Sequence, residues 1–229
     1  IQQELERIAK EKAKAEGHLK GIEAKLSNEA FTSKAPAHIV QNQREQAEKL
    51  RFLLAQLMKG SRLEAGMIAL SPKIRPVAPL LEETAAAVSA AAERRGVRLR
   101  LRPTDATACF DGRWTAEALF NLADNAVKYT PAGGEVTLSA AAGELFCRLD
   151  VADTGPGVAE GERALIFQRF YRGTDCRETE GSGLGLYLAR EIVLAQGGYA
   201  QARCPKGGGS VFSLYLPRTG GREEIGVRR

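Results

Sequence analysis

The chain has 229 residues, 33 Lys and Arg against 28 Asp and Glu, a formal charge of +5, a pI near 9.1 and 44 % apolar side chains, which leaves room for one domain of about 150 residues and a smaller helical element. No run of 18 apolar residues exists, so no segment reads as a membrane-spanning helix. Cys109, Cys147, Cys176 and Cys204 lack Cys-x-x-Cys spacing and neighbouring histidines, which argues against zinc and for reduced thiols in a cytosolic compartment.

Leu5, Ile8, Lys12, Ala15, Leu19, Ile22 and Leu26 step alternately by three and four, a heptad seam with one polar interruption. Residues 27–36 then form a turn-rich break that no helix crosses at Pro36. A second seam follows at Val40, Ala47, Leu50, Leu54 and Leu57, with Gln43 as its polar member. Two heptad helices joined by about ten residues predict an antiparallel coiled-coil hairpin, whose ordinary role is spacing or dimerisation. The seam falters at Gly60–Ser61 and resumes at Leu63 and Met67, as if two sequences met in one helix.

Beyond the hairpin the pattern changes. Val77 to Arg95 is an Ala-rich helix, and Val97 to Leu101 and Ala106 to Phe110 are short strands. Trp114, Ala118, Leu122, Ala126 and Tyr129 recur at helical steps. Glu135 to Ala141 and Leu145 to Val151 form a strand pair around Gly143-Glu144. A helix over 183–196 ends at Gly197-Gly198, and Tyr199 to Arg203 and Ser210 to Leu216 are closing strands.

Three short pieces carry the chemistry. Asn121 and Asn125 are four apart, so both amides leave one face of the helix, and Lys128 follows a turn later. Two neutral oxygen ligands and a cation suit a Mg²⁺ held mainly by phosphates. Asp153 ends an apolar strand, where its carboxylate can accept from an exocyclic amine such as that of adenine; Gly155 and Gly157 free the backbone for a tight turn beside a base. Gly181-Ser182-Gly183-Leu184-Gly185 runs straight into an apolar helix, whose N–H groups and positive end suit phosphate. Each piece alone has a bland reading: solvated surface, an ordinary turn, a flexible linker, and core packing for Phe167 and Phe170. Their joint order specifies a pocket for an adenine nucleotide.

In that order the motifs resemble those of bacterial sensor histidine kinases, whose catalytic part shares a fold with gyrase and Hsp90-type ATPases. Asn121 to Tyr129 matches the N box, Asp153 to Gly157 the G1 box, Phe167 to Arg172 the F box and Gly181 to Gly185 the G2 box, and Gly207 to Phe212 looks like the terminal glycine box. The resemblance implies an α+β, two-layer sandwich, a mixed sheet with helices on one face (the Bergerat-type ATP fold). It implies Mg²⁺ at Asn121 and Asn125, phosphate at Lys128, the base near Tyr129 and on Asp153, and nucleotide contacts from Gly155, Gly157, Phe167, Phe170, Gly181, Ser182, Gly183, Leu184 and Gly185. Residues 158–182 become the lid, and Arg172 reaches the γ-phosphate when it closes. Gyrase-like relatives carry a water-activating Glu where Asn121 stands, so Asn121 favours a kinase over two alternatives, a gyrase- or Hsp90-like ATPase and a silent nucleotide-binding interaction module.

The first part resembles a different family. Glu16 to Phe31, Lys34 to Val40 and Gln43 to Gln46 look like the C-terminal coiled-coil arm of valyl-tRNA synthetases, which lies against tRNA. Residues 1–60 hold eleven Lys and Arg and eight acids, a net of +3 with no aromatic platform, so no nucleic-acid partner is expected. Leu57 to Gly66 resembles the end of the second dimerisation helix of a histidine kinase. The expected divisions are therefore hairpin 1–56, dimerisation-helix end 57–70, ATP-binding domain 71–218 and tail 219–229. His18 and His38 lack the acidic neighbour and downstream Thr-Pro of a phosphoacceptor, so the first dimerisation helix reads as replaced by a borrowed coiled coil, as in an engineered fusion; a start at Ile1 fits a processed or truncated chain. The implied partners are ATP, an acceptor hairpin supplied in trans, a response regulator and a second copy through the hairpin. The implied place is the cytoplasmic side of a membrane sensor.

Overall fold

The computed structural model describes residues 2–173 and 181–219, with side chains from residue 13 onward. Cys176, the expected tail from residue 220 and the seam positions Leu5, Ile8 and Lys12 (as side chains) lie outside that description. The chain divides between Lys59 and Gly60 into two compact units.

The first unit is helical. Helix α1 (Gln2–Ser27) is interrupted only at Asn28, whose side chain accepts from the Ala30 N–H at 2.9 Å and so opens a short helix, α2 (Glu29–Lys34). The turn-rich break expected over 27–36 is thus mostly helix, and the chain reverses at Ala35–Pro36 before α3 (Ala37–Glu64). Pro36 fits because its missing N–H falls before the first turn, where it would have no partner anyway. Glu23 on α1 takes the Arg51 guanidinium on α3 at 2.7 Å, which ties the two helices together after the reversal. Ile22, Val40, Ala47 and Leu57 are the seam's buried positions among the described residues.

Gly60–Ser61 does not end α3. The helix continues to Glu64 and closes at Gly66 (φ 64°), with Met67 N–H bonded to Arg62 O at 2.9 Å and Gly66 N–H to Leu63 O at 3.0 Å.

In the second unit, β1 (Lys73–Pro76) pairs antiparallel with β3 (Thr107–Phe110). β1 is an element the sequence did not announce: all four residues are exposed, Pro72 precedes them and Pro76 is the last of them, so no apolar alternation marks it. Helix α4 (Ala78–Arg94) buries Leu80, Leu81, Thr84, Val88 and Ala92. Helix α5 (Gly112–Tyr129) starts at Asp111, whose carboxylate accepts from the N–H groups of Arg113 and Trp114, a cap worth about 1 kcal/mol.

The main sheet has the order β2 (Arg98–Leu101), β4 (Glu135–Ala142), β5 (Phe146–Asp153), β7 (Ser210–Pro217), β6 (Tyr199–Arg203). Only β2–β4 is parallel, which makes the sheet mixed. Cys147, Leu149 and Val151 face the same side as their partners Leu216, Leu214 and Phe212, and with α4, α5 and α6 (Gly185–Leu194) they form one core. The opposite face carries Arg148, Asp150, Ser213 and a stacked Tyr199–Tyr215 pair 4.2 Å apart. This is the expected two-layer α+β sandwich, preceded by the helical region. Burial along β5, β7 and one face of α5 fixes the end of β5, the start of β7 beside it and the last turns of α5, and these build the site.

Candidate functional site

The site forms where α5, the end of β5 and the start of α6 meet. Leu122, Ala123, Ala126 and Val127 anchor α5 in the core. That fixes the opposite flank, where Asn121, Asn125, Lys128 and Tyr129 are half-buried. A side chain on Gly185, the first residue of α6, would begin 3.3 Å from Asn121 Oδ1. One on Gly181 would begin 3.2 Å from Lys128 Nζ and 3.8 Å from the Tyr129 hydroxyl. The glycine loop therefore lies directly on the Asn–Lys face, and glycine is what permits the approach.

Asp153 ends β5 with its Oδ1 accepting from the N–H groups of Gly155 at 2.8 Å and Ser210 at 3.2 Å. Burial pushes its carboxyl above the ordinary carboxylate range, and these hydrogen bonds pull part of the way back. A Cβ on Gly155 would meet Asp153 Oδ1 at 2.9 Å and Tyr129 O at 3.0 Å, and one on Gly209 (φ 79°) would fall 2.0 Å from Asp153 O. Gly157 (φ 86°) turns the chain away at Val158, whose N–H and C=O both bond Cys204 Sγ.

The F box crosses the glycine loop. Phe170 is the one non-glycine residue with positive φ (59°) among the described residues, and its N–H donates to Gly183 O at 3.0 Å. Gly183 itself has φ 67°, and a Cβ there would lie 2.7 Å from the Phe170 carbonyl carbon. Ser182 Oγ accepts from Leu184 N–H at 3.2 Å.

The sequence-predicted residues Asn121, Asn125, Lys128, Tyr129, Asp153, Gly155, Gly157, Gly181, Ser182, Gly183 and Gly185 thus share one region. Two differ in role. Phe167 is 5 % exposed and packs in the core, bracing the lid's base rather than lining a pocket. Leu184 is buried, so only its main chain faces the loop. Arg172 is half-buried just before residues 174–180, which lie outside the described residues. Sequence reasoning missed Ser210 as a holder of Asp153; the β5–β7 register, which pairs the two residues, is the signal that finds it.

Comparison with known proteins agrees with this geometry. Residues 110–220 match the family described as histidine kinase-, DNA gyrase B-, and HSP90-like ATPase, and residues 1–63 match the valyl tRNA synthetase tRNA binding arm. The sensor protein DivL of Caulobacter vibrioides is 36 % identical over 180 residues, 77 % of this chain and 23 % of DivL. The sensor protein kinase PmrB of Pseudomonas aeruginosa is 33 % identical over 175 residues, 75 % of this chain and 36 % of PmrB. The crystal structure of full-length ShkA in complex with AMPPNP superposes with a TM-score of 0.72 at 31 % identity, over 95 % of this chain and 47 % of ShkA. Fold and site together define a nucleotide-binding domain of the class shared by histidine kinases, gyrase and Hsp90. Within that class, the chain carries the ATP-binding catalytic domain of the sensor histidine kinase family. It spans 23 % and 36 % of the length of the two curated relatives named. No helix among the described residues is long and apolar enough to cross a membrane.

Proposed function

We propose that this chain binds Mg²⁺-ATP at the junction of α5, Asp153 and the Gly181–Gly185 loop and offers the γ-phosphate to a histidine imidazole on a separate hairpin. The observation that carries the reading is the close approach of the Gly181–Gly185 loop to Asn121 and Lys128, with Asp153 and Gly155 beside Tyr129 on the same helix end. Asp153 accepts from the adenine amine, Lys128 and the loop amides hold phosphate, and Arg172 is the candidate for the γ-phosphate.

The residues fit a Mg²⁺. Asn121 and Asn125 stand one turn apart on α5, each with a neutral carboxamide oxygen to offer the ion, while the Asn121 Nδ2, buried without a hydrogen-bond partner among the described residues, is a donor for a phosphate oxygen. No group of three or more His, Cys, Asp or Glu could hold a metal among the described residues, so most ligands would come from phosphate and water. When bound, the ion neutralises charge on the phosphate oxygens.

The protein's own contribution is positioning and charge compensation. An imidazole nitrogen forms the N–P bond as the bridging P–O bond to the β-phosphate breaks, and ADP leaves with that electron pair. Both His18 and His38 are exposed on the helical unit, and neither is followed by an acid. The acceptor hairpin, a response regulator receiving the phosphoryl group, pairing of two chains through the helices, and a cytoplasmic location with its supply of ATP complete this reading.

The test is incubation with Mg²⁺-ATP with and without a separate acceptor hairpin. Phosphohistidine is expected only on the added hairpin. Robust phosphohistidine on this chain alone would overturn the assignment of the acceptor, and none in either reaction would overturn the kinase reading.

A further inference from the structure

The F box is tied to the last turn of α3. Arg169 has a side chain only 8 % exposed, its guanidinium lies 4.7 Å above the Tyr187 ring of α6, and its Nη2 donates to Glu64 Oε2. Glu64 closes the last turn of α3, and Leu63 beside it is buried in the domain core. Gly60, one turn earlier, lies so close to Tyr187 that a Cβ would fall 2.5 Å from its Cε1. The last turn of α3 is therefore seated on the ring that supports Arg169.

From Arg169 the path to the phosphate loop is short. Phe170, the next residue, has the strained φ of 59° and bonds Gly183 O, and Gly183 leads in two residues to Gly185 against Asn121 Oδ1. A non-glycine residue holds positive φ only when its surroundings over-determine it. Here those surroundings are the Gly183 bond on one side and the anchored Arg169 on the other.

We propose that Glu64 is a positioning residue for phosphate binding: by holding Arg169 on Tyr187 it fixes the Phe170–Gly183 crossing and so the placement of the Gly181–Gly185 loop over Asn121. This rests on the nucleotide-site reading above and adds to it a control point in the last turn of α3. Glu64 touches no substrate. Its side chain is 40 % exposed, so replacing it leaves the core intact.

Amide exchange and nucleotide titration on the full chain test this together. In Glu64→Gln, the Phe170 amide is expected to exchange about tenfold faster, because a largely buried guanidinium has lost its charged acceptor. Amides of β5 and the thermal midpoint stay as in the parent, and affinity for Mg²⁺-ATP falls about fivefold. Glu64→Asp, which keeps the charge, restores both to within about threefold. Unchanged exchange at Phe170 in Glu64→Gln overturns the proposal whether or not nucleotide binds. If the parent fails to bind Mg²⁺-ATP, the proposed function falls, and the exchange result still decides the role of Glu64.

Discussion

Replacing Gly60 by Ala sets two effects of opposite sign against each other. Gly60 lies inside α3, where Ala is favoured over Gly by about 1 kcal/mol. The new methyl, however, would lie 2.5 Å from Tyr187 Cε1, 2.9 Å from its hydroxyl and 3.1 Å from Cζ. The ring cannot yield easily, since Tyr187 is 3 % exposed and capped by Arg169. Overpacking of this kind costs about 1–3 kcal/mol, so the net destabilisation is about 0–2 kcal/mol. For a domain of this size that lowers the melting midpoint by roughly 2–6 °C at the centre and upper end of the range. Trp114, the one tryptophan, sits on α5 and reports this unit's unfolding by fluorescence. Gly21→Ala is the matched control: it is helical with nothing within 4 Å of its Cβ position, so it gains helix stability in the first unit and leaves the Trp114 transition in place. A rise in the Trp114 midpoint with Gly60→Ala would refute the seating of α3 on Tyr187.

Gly183→Ala combines a left-handed φ with a 2.7 Å clash against the Phe170 backbone, a local cost of about 2–5 kcal/mol; the loop is expected to shift, lowering Mg²⁺-ATP affinity at least tenfold in a titration while moving the Trp114 midpoint little. Asp153 should titrate above the ordinary value of 3.8 in the ligand-free protein, read from its carboxyl carbon by NMR. Between 3.8 and the folded value the native state holds more proton than the unfolded chain, so this group makes stability fall as pH rises through that window. The accepting carboxylate exists only above the folded value, so nucleotide binding weakens on acidification from a pH above the usual range, and a midpoint at or below 3.8 would contradict the burial argument. Burial pushes the Cys147 thiol up, with Arg218 opposing, and the residue is fully buried, so alkylation at pH 8 should reach the half-buried Cys204 first; equal rates would contradict the packing of β5.

The elements that the sequence reveals are those whose signal is local. α5 and α6 carry helical burial and β4 alternates, so periodicity places these, β5 and β7 read as apolar runs, and the ordered glycine boxes point to the site. β1 is short and exposed, with proline before it and at its end, and only its pairing with β3 makes it a strand. α2 was hidden because Asn28 and Ser27 read as turn residues, whereas Asn28 serves as a cap. Phe167 shows the limit of spacing: two aromatics three apart cannot tell a core anchor from a ring beside a base. Gly60 reads as the joint between two sequences, and its close approach to Tyr187 is a tertiary contact that no local pattern announces. The Arg169–Glu64 pair, 105 residues apart, and the Asp153–Ser210 bond, 57 apart, arise from tertiary register, which no local pattern encodes.

Calorimetric titration of Mg²⁺-ATP into this chain, with Asp153→Asn alongside, tests the nucleotide site most directly. Binding in the micromolar to millimolar range by the parent, equivalent to about 4–8 kcal/mol, and its loss in Asp153→Asn is the expected result. No binding by the parent, or equal binding by the variant, would contradict the assignment of Asp153 and the glycine loop as an adenine nucleotide site.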